Sequence, residues 1–134
     1  RHQAPLMGGD GWDSSKLYEI AQGALDGSYF TNHYTDEDPS PVIQDFVKKY
    51  KAIYGGVPDA MAVLGYDAAR VAIDAMGRAK DLSGPALRDA IEQTKHFQGV
   101  SGLITLDADH NAVKPAVVLE IAKNKAHFAA TIRP

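Results

Sequence analysis

The nine residues Pro5-Leu6-Met7-Gly8-Gly9-Asp10-Gly11-Trp12-Asp13 constrain the fold most. A short apolar run breaks there into glycines that bracket one carboxylate. Helical periodicity follows at once: Leu17, Ile20, Ala21 and Ala24 recur at helical spacing, and Asp13 or Ser14 stands where a cap would satisfy the first free N–H groups. The pattern predicts a strand end, a tight loop and a helix start. In an open α/β sheet that junction lies outside the carboxyl ends of the strands, where ligands bind. The glycines are expected to take backbone angles that other residues resist and to let a ligand approach closely. Asp10 is then the projecting charge and Trp12 the neighbouring wall.

Two other readings of the loop stay open. Asp and Gly dominate turns for local reasons, so Asp10 also fits a plain turn. Gly9-Asp10-Gly11-Trp12-Asp13-Ser14 partly imitates a dinucleotide fingerprint, but Ser14 stands at the third glycine and Lys16 is the only nearby base beside two acids. An acid between glycines favours a cationic ligand group over an anionic one.

A chain of 134 residues, 45% hydrophobic, has the length of one ordinary domain and enough apolar mass for a core. Its net charge of −3 and dispersed bases lack the footprint of nucleic-acid or anionic-membrane binding. No apolar run approaches the roughly 20 residues of a membrane-spanning helix. The absence of cysteine excludes disulfides, thiolate catalysis and cysteine zinc sites, without fixing the compartment. The start at Arg1, with neither initiator Met nor signal peptide, fits a processed or truncated product.

Beyond the first helix, Gly23 and Gly27 punctuate the chain and residues 28–32 read as a short buried strand. Residues 33–39, with Asp36-Glu37-Asp38-Pro39, read as a loop rather than a metal site. Ser40 and Pro41 open a second helix whose apolar face is expected to be Val42, Phe46, Tyr50 and Ile53, ended by Gly55-Gly56. Pro58-Asp59 starts a third helix that is apolar nearly all round, from Met61 and Val63 through Ile73 and Met76. Such a helix must be covered on more than one face, yet few other elements exist to cover it. Ser83 caps a fourth, amphipathic helix with Leu87, Ala90 and Ile91 inward. From Gly99 the period changes to strands at residues 103–106, 117–121 and 126–132, a β-meander after a run of helices.

Catalytic and metal motifs find little support. Asp107, Asp109 and Asn111 begin like a calcium loop, but Ala112 and Val118 occupy the positions that need glycine and a bidentate glutamate. His2, His33, His96, His110 and His127 are scattered without ligand spacing. Serine elbows and Walker loops are missing. Asp10 and Asp13 are the one carboxylate pair for acid–base work, and Asp13 is better used as a helix cap. Met61, Leu64, Trp12 and Tyr34 are candidates for an apolar pocket wall by position alone, a role that core packing explains equally well.

Five blocks then resemble one family in order and along the whole chain: Pro5 to Asp13, Gly27-Ser-Tyr-Phe-Thr-Asn-His-Tyr34, Phe46-Val-Lys-Lys-Tyr-Lys-Ala-Ile-Tyr-Gly55, Gly65-Tyr-Asp-Ala-Ala69 and Phe97-Gln-Gly-Val-Ser-Gly102. They are similar to the C-terminal part of branched-chain amino acid (Leu/Ile/Val-type) ABC transporter substrate-binding proteins. The resemblance implies the type 1 periplasmic binding protein fold: two Rossmann-like, flavodoxin-like α/β lobes joined by three crossings, closing on a small ligand. The chain would hold less than half of it, an incomplete α/β architecture with a C-terminal β-meander. Residues 1–38 would supply a second-lobe loop, helix and strand, residues 39–112 helices largely of the first lobe, and residues 113–134 terminal strands.

By the same resemblance the ligand's α-ammonium group falls to Asp10, within a ligand-binding set of Asp10, Gly11, Trp12 and Met61, and Met61 would approach the ligand side chain. No catalytic residue, metal or cofactor is implied. The expected partners are an amino acid, the transporter's membrane permease, and either the missing N-terminal half or a self-swapped second copy; the full-length protein would be periplasmic. Alone, the chain is expected to leave large apolar faces open and to bind amino acids weakly or not at all. A sensory or regulatory ligand-binding domain on this fold is the alternative, and a flavodoxin-like enzyme would require an anion at the Gly8 to Trp12 loop.

Overall fold

The computed structural model describes residues 4–134, so His2 and the leading tail lie outside the described residues. In chain order the elements are β1 (Met7–Gly8), a 3-10 turn (Asp10–Trp12), α1 (Ser15–Ala21), β2 (Tyr29–Asn32), α2 (Pro41–Tyr54), α3 (Ala60–Arg78), α4 (Gly84–Glu92), β3 (Phe97–Gly99), β4 (Gly102–Leu106), β5 (Ala112–Val113), β6 (Ala116–Ala122) and β7 (Lys125–Ile132). Strands β1 and β2 run parallel, β2 pairs antiparallel with β6 and β6 with β7, giving a sheet ordered β1-β2-β6-β7. Strands β3, β4 and β5 form a separate antiparallel sheet.

The fold has two hydrophobic centres. Alternation along β6 turns Val117, Leu119 and Ile121 to one face, where they meet Phe30 of β2; Trp12, Leu17, Tyr18, Leu25 and Ala126 pack around them. Phe30 and Ile121 are about 1% exposed, and full burial of side chains this size contributes about 1.5–3 kcal/mol each. The second centre joins Tyr34, Ile43, Val47, Ala60, Val63 and Val100, with Phe46 against it. Helices α2 and α3 meet there, and an aromatic ladder of Phe46, Tyr50, Tyr54 and Tyr66 extends it.

Local chemistry explains the boundaries. Pro41 stands in the first turn of α2, and Gly55 ends that helix at φ 77°, a left-handed position that suits glycine. The Asp59 carboxylate caps α3 by accepting from the Ala62 N–H at 2.8 Å. Ser40 and Ser83 sit at the N-cap positions of α2 and α4, but neither side chain makes the capping bond.

Several expectations need correction. The buried residues of α2 are Ile43 and Val47, whereas Val42 and Ile53 are 39% and 72% exposed; the stripe is turned because Ile43 and Val47 are the pair, one turn apart, that reach α3 and Val100. The first helix stops at Ala21, with Gln22 in the left-handed region, so Ile20 is exposed and Ala24 falls in the following turn. Of α3 only Ala60, Val63, Asp67 and Ala75 are buried, along a single stripe; Met61, Ile73 and Met76 remain 47–66% exposed because no described element lies over them, and Tyr66, against Phe46 of α2, is still 45% exposed. The C-terminal strands are divided between two sheets at Pro115, which has no N–H to continue a ladder. Strands β3 and β5 are too short to carry a readable period.

Asp67 lies within the Gly65 to Ala69 block, in the middle of this apolar helix. It is 2% exposed, and its carboxylate accepts the Val100 N–H at 2.7 Å, the Ser101 N–H at 2.8 Å and the Ser101 hydroxyl at 2.7 Å. That acid ties α3 to the turn between β3 and β4. Gly99 completes the joint, since a Cβ there would lie 2.7 Å from an Asp67 oxygen and 2.8 Å from Ile104. Two of the family-like blocks, around Asp67 and around Gly99 to Ser101, are thus the two halves of one contact.

Candidate functional site

The parallel pairing of β1 with β2 brings the carboxyl ends of both strands to the same edge. Met7 stands opposite Tyr29 and Gly8 opposite Phe30, so the loop after β1 rises beside the residues that follow β2. Asp10 and His33 meet there, Asp10 Oδ2 lying 3.0 Å from His33 Nε2 with side chains 52% and 31% exposed. Among the described residues Asp10 Oδ1 has no hydrogen-bond partner. A half-exposed carboxylate with an open oxygen can accept a charge-assisted bond from an incoming cation.

The loop is held from below. Trp12 packs toward the first core, its ring 6.3 Å from that of Phe30. Gly8 lies beneath that indole, where a Cβ would come within 2.3 Å of the ring. This corrects one part of the expected role of the glycines: none of Gly8, Gly9 and Gly11 takes a positive φ, and Gly8 is required by its contact with Trp12, whereas a Cβ at Gly9 or Gly11 would meet no described atom within 4 Å. The Ser14 hydroxyl caps α1 through the Lys16 N–H, which leaves Asp13 for another task. Asp13 Oδ2 instead accepts from the Ala60 N–H at 3.1 Å, the first residue of α3. With Asp59 on Ala62, two carboxylates occupy the N-terminus of α3, where the helix dipole favours negative charge.

Beside this junction lies a cleft of about 490 Å³ bordered by Asp13, Tyr18, Asn32, Tyr34, Asp36 and Asp59, reaching both hydrophobic centres. Among the described residues no lysine, arginine or histidine lines it. The Tyr34 hydroxyl donates to the Pro58 carbonyl. Burial foremost, then Asp36, Asp13 and Asp59, pushes its pKa far above the ordinary phenol value, and burial followed by Asp13 raises that of Tyr18. Both hydroxyls stay protonated as donors, and the negative field suits a cationic group.

The ligand-binding set read from the sequence is distributed as follows. Asp10 and Gly11 lie on the loop above the sheet edge, Trp12 is half-buried beneath it, and Met61 is 63% exposed in the first turn of α3. The Asp13–Ala60 bond brings that loop next to that turn. None of the four lines the cleft itself. Sequence reasoning missed His33 as the neighbour of Asp10 and Asp13 as the link to α3. The first needs the parallel register of a two-residue strand, and the second a contact 47 residues away in sequence. Among the described residues no group of three His, Cys, Asp or Glu side chains could hold a metal ion.

The model of the periplasmic binding protein family matches residues 2–126. Comparison with curated proteins finds no match. Among solved structures, a leucine-binding protein, LivK, from Thermotoga maritima is 37% identical, with a TM-score of 0.89 over 99% of this chain and 38% of its own. LivJ, a branched-chain amino acid transporter substrate-binding protein from Streptococcus pneumoniae solved with isoleucine, is 30% identical, with a TM-score of 0.83 over 98% of this chain and 38% of its own. An ABC transporter solute-binding protein from R. palustris solved with benzoate is 26% identical, with a TM-score of 0.73 over 97% of this chain and 37% of its own. The chain therefore spans less than two-fifths of the length of these structures.

Proposed function

The chain belongs to the periplasmic binding protein family, and from that premise we propose that it is part of a substrate-binding protein for amino acid uptake by an ABC transporter, with Asp10 receiving the ligand's α-ammonium group. The observation that carries this reading is the half-exposed Asp10 carboxylate at the carboxyl edge of β1 and β2, one oxygen on His33 and the other open, beside a cleft walled by further carboxylates. An ammonium group replaces the lost hydration of such an acid with a charge-assisted bond, whereas a carboxylate or phosphate would meet like charge. The similarity to proteins solved with or named for leucine and isoleucine supports a branched-chain or other apolar amino acid, with Met61 near its side chain.

The two hydrophobic centres support the division of the chain between lobes. Residues 1–38 and 113–134 contribute most of the centre around Phe30, and residues 39–112 most of the centre around Val63, with the ligand held where the two approach. In this reading the protein is non-enzymatic, works outside the cytoplasmic membrane, delivers its ligand to a membrane permease, and grips the ligand's carboxylate with groups outside this chain. Hinge closure then assembles the full site.

The test is amide chemical-shift mapping of this chain with leucine, 4-methylpentanoate, which lacks the ammonium group, and benzoate. With part of the head-group contacts absent, affinity is expected in the millimolar range, about −4 kcal/mol. Leucine should shift the amides of Asp10, Gly11 and Met61, 4-methylpentanoate and benzoate should not, and Asp10→Ala should abolish the effect. Equal shifts with 4-methylpentanoate, or binding of a phosphate compound that survives Asp10→Ala, would overturn the reading.

A further inference from the structure

The Asp10 side chain receives no support from its own loop. The backbone there is fixed: the Trp12 N–H donates to the Gly9 carbonyl and the Asp13 N–H to the Asp10 carbonyl, both at 3.0 Å. The side chain is another matter. Nothing packs beside the flanking glycines, where even a Cβ at Gly9 or Gly11 would meet no described atom within 4 Å. Trp12 turns inward to Phe30, and the Asp10 carboxylate is left 52% exposed. Among the described residues its one hydrogen-bond partner is His33 Nε2, at 3.0 Å. His33, by contrast, is anchored. It follows β2 directly, and its N–H donates at 2.8 Å to Oδ1 of Asn32, which is 3% exposed and stands opposite Val117 of β6.

We propose that His33 is the positioning residue of the ammonium site: its Nε2–H holds Asp10 Oδ2, so that Oδ1 stands free for the ligand's ammonium group. An ionised carboxylate only accepts hydrogen bonds, so Nε2 carries the proton in this contact. A neutral imidazole donating in this way fixes the carboxylate's orientation and leaves its negative charge uncancelled. Such an exposed contact adds little to stability. Its value lies in recognition, because an acid already turned to the site loses less freedom when the ligand arrives. Two effects oppose when His33 is lost. Oδ2 becomes open to the ligand, but water screens that gain at a half-exposed carboxylate. Fixing a free side chain on binding lowers affinity by about two- to twelvefold, so orientation decides the sign. The proposal rests on the reading of Asp10 as the ammonium acceptor, and His33 acts through Asp10.

The experiment compares this chain with its His33→Leu and His33→Gln variants, the second of which offers an amide N–H in place of the ring donor. Without ligand, three-bond couplings about the Asp10 Cα–Cβ bond should report one rotamer in the parent and in His33→Gln, and rotamer averaging in His33→Leu. With leucine, followed through the amides of Asp10 and Gly11, the dissociation constant should rise about three- to tenfold in His33→Leu and return to within about twofold of the parent in His33→Gln. General damage to the loop would not be rescued by the conservative change. An averaged Asp10 rotamer in the parent, a single unchanged rotamer in His33→Leu, or leucine binding as tight or tighter in His33→Leu overturns the proposal; tighter binding would make His33 a competitor of the ligand. If leucine leaves the parent's amides unmoved, the amino acid reading fails instead, and the couplings alone decide whether His33 holds Asp10.

Discussion

Removing the Asp67 carboxylate tests whether one buried acid holds α3 to the turn between β3 and β4. Asp67→Ala leaves two backbone N–H groups and one hydroxyl without the acceptor that binds them at 2.7–2.8 Å. Each buried donor left unpaired costs about 1–3 kcal/mol, but the Ser101 hydroxyl can rotate to another acceptor and loss of a buried charge returns part of its desolvation. The net expectation is about 2–4 kcal/mol, a large share of the roughly 5–15 kcal/mol that holds a domain together. Urea unfolding followed by circular dichroism should show a lower midpoint at an unchanged slope. Asp67→Asn, which keeps one acceptor oxygen but turns an N–H₂ toward N–H groups, should fall between the two. Because Val100 packs in the same centre as Tyr34, which borders the cleft, the Tyr34 ring signals should shift as well. An Asp67→Ala stability within about 0.5 kcal/mol of the parent, with the Val100 and Ser101 amides still protected from exchange, would refute the reasoning.

Three further outcomes are expected. Gly8→Ala drives a methyl into the Trp12 indole, costing about 1–3 kcal/mol, and should change the emission of the chain's single tryptophan; an unaltered spectrum would show that the loop moves freely. Glu37, which accepts from the Phe128 N–H at 2.8 Å and lies 3.0 Å from His127 Nδ1, has its pKa lowered, foremost by that backbone bond. A lowered folded-state pKa stabilises above the unfolded value near 4.5 and is lost as pH falls through the folded one, so Glu37→Gln should destabilise at pH 6, by a margin that shrinks as pH falls below 4.5 in urea titrations. Met61→Ala should change stability by less than about 1 kcal/mol, the side chain being 63% exposed, while altering which apolar amino acids shift the site amides; a large stability loss would make Met61 a packing residue instead.

The sequence by itself determined what depends on near neighbours. Proline at the start of α2, glycine at its end and the Asp59 cap of α3 are local backbone chemistry, readable from order alone. The strand–loop–helix succession around Asp10 was equally legible, because a change of hydrophobic period marks it. The five blocks also identified the family that the comparisons show. Only the tertiary structure decided which faces are covered and which groups meet. The stripe of α2 turned toward Ile43 and Val47 because α3 lies there, and half of α3 stayed bare because no described element covers it. His33 reached Asp10 through a parallel pairing of two-residue length, and Asp13 left its own helix for the start of α3. Asp67, hidden in an apolar run, became the acceptor for donors more than 30 residues away. Contacts such as these are chosen by where whole elements pack, and no local period in the chain records that choice.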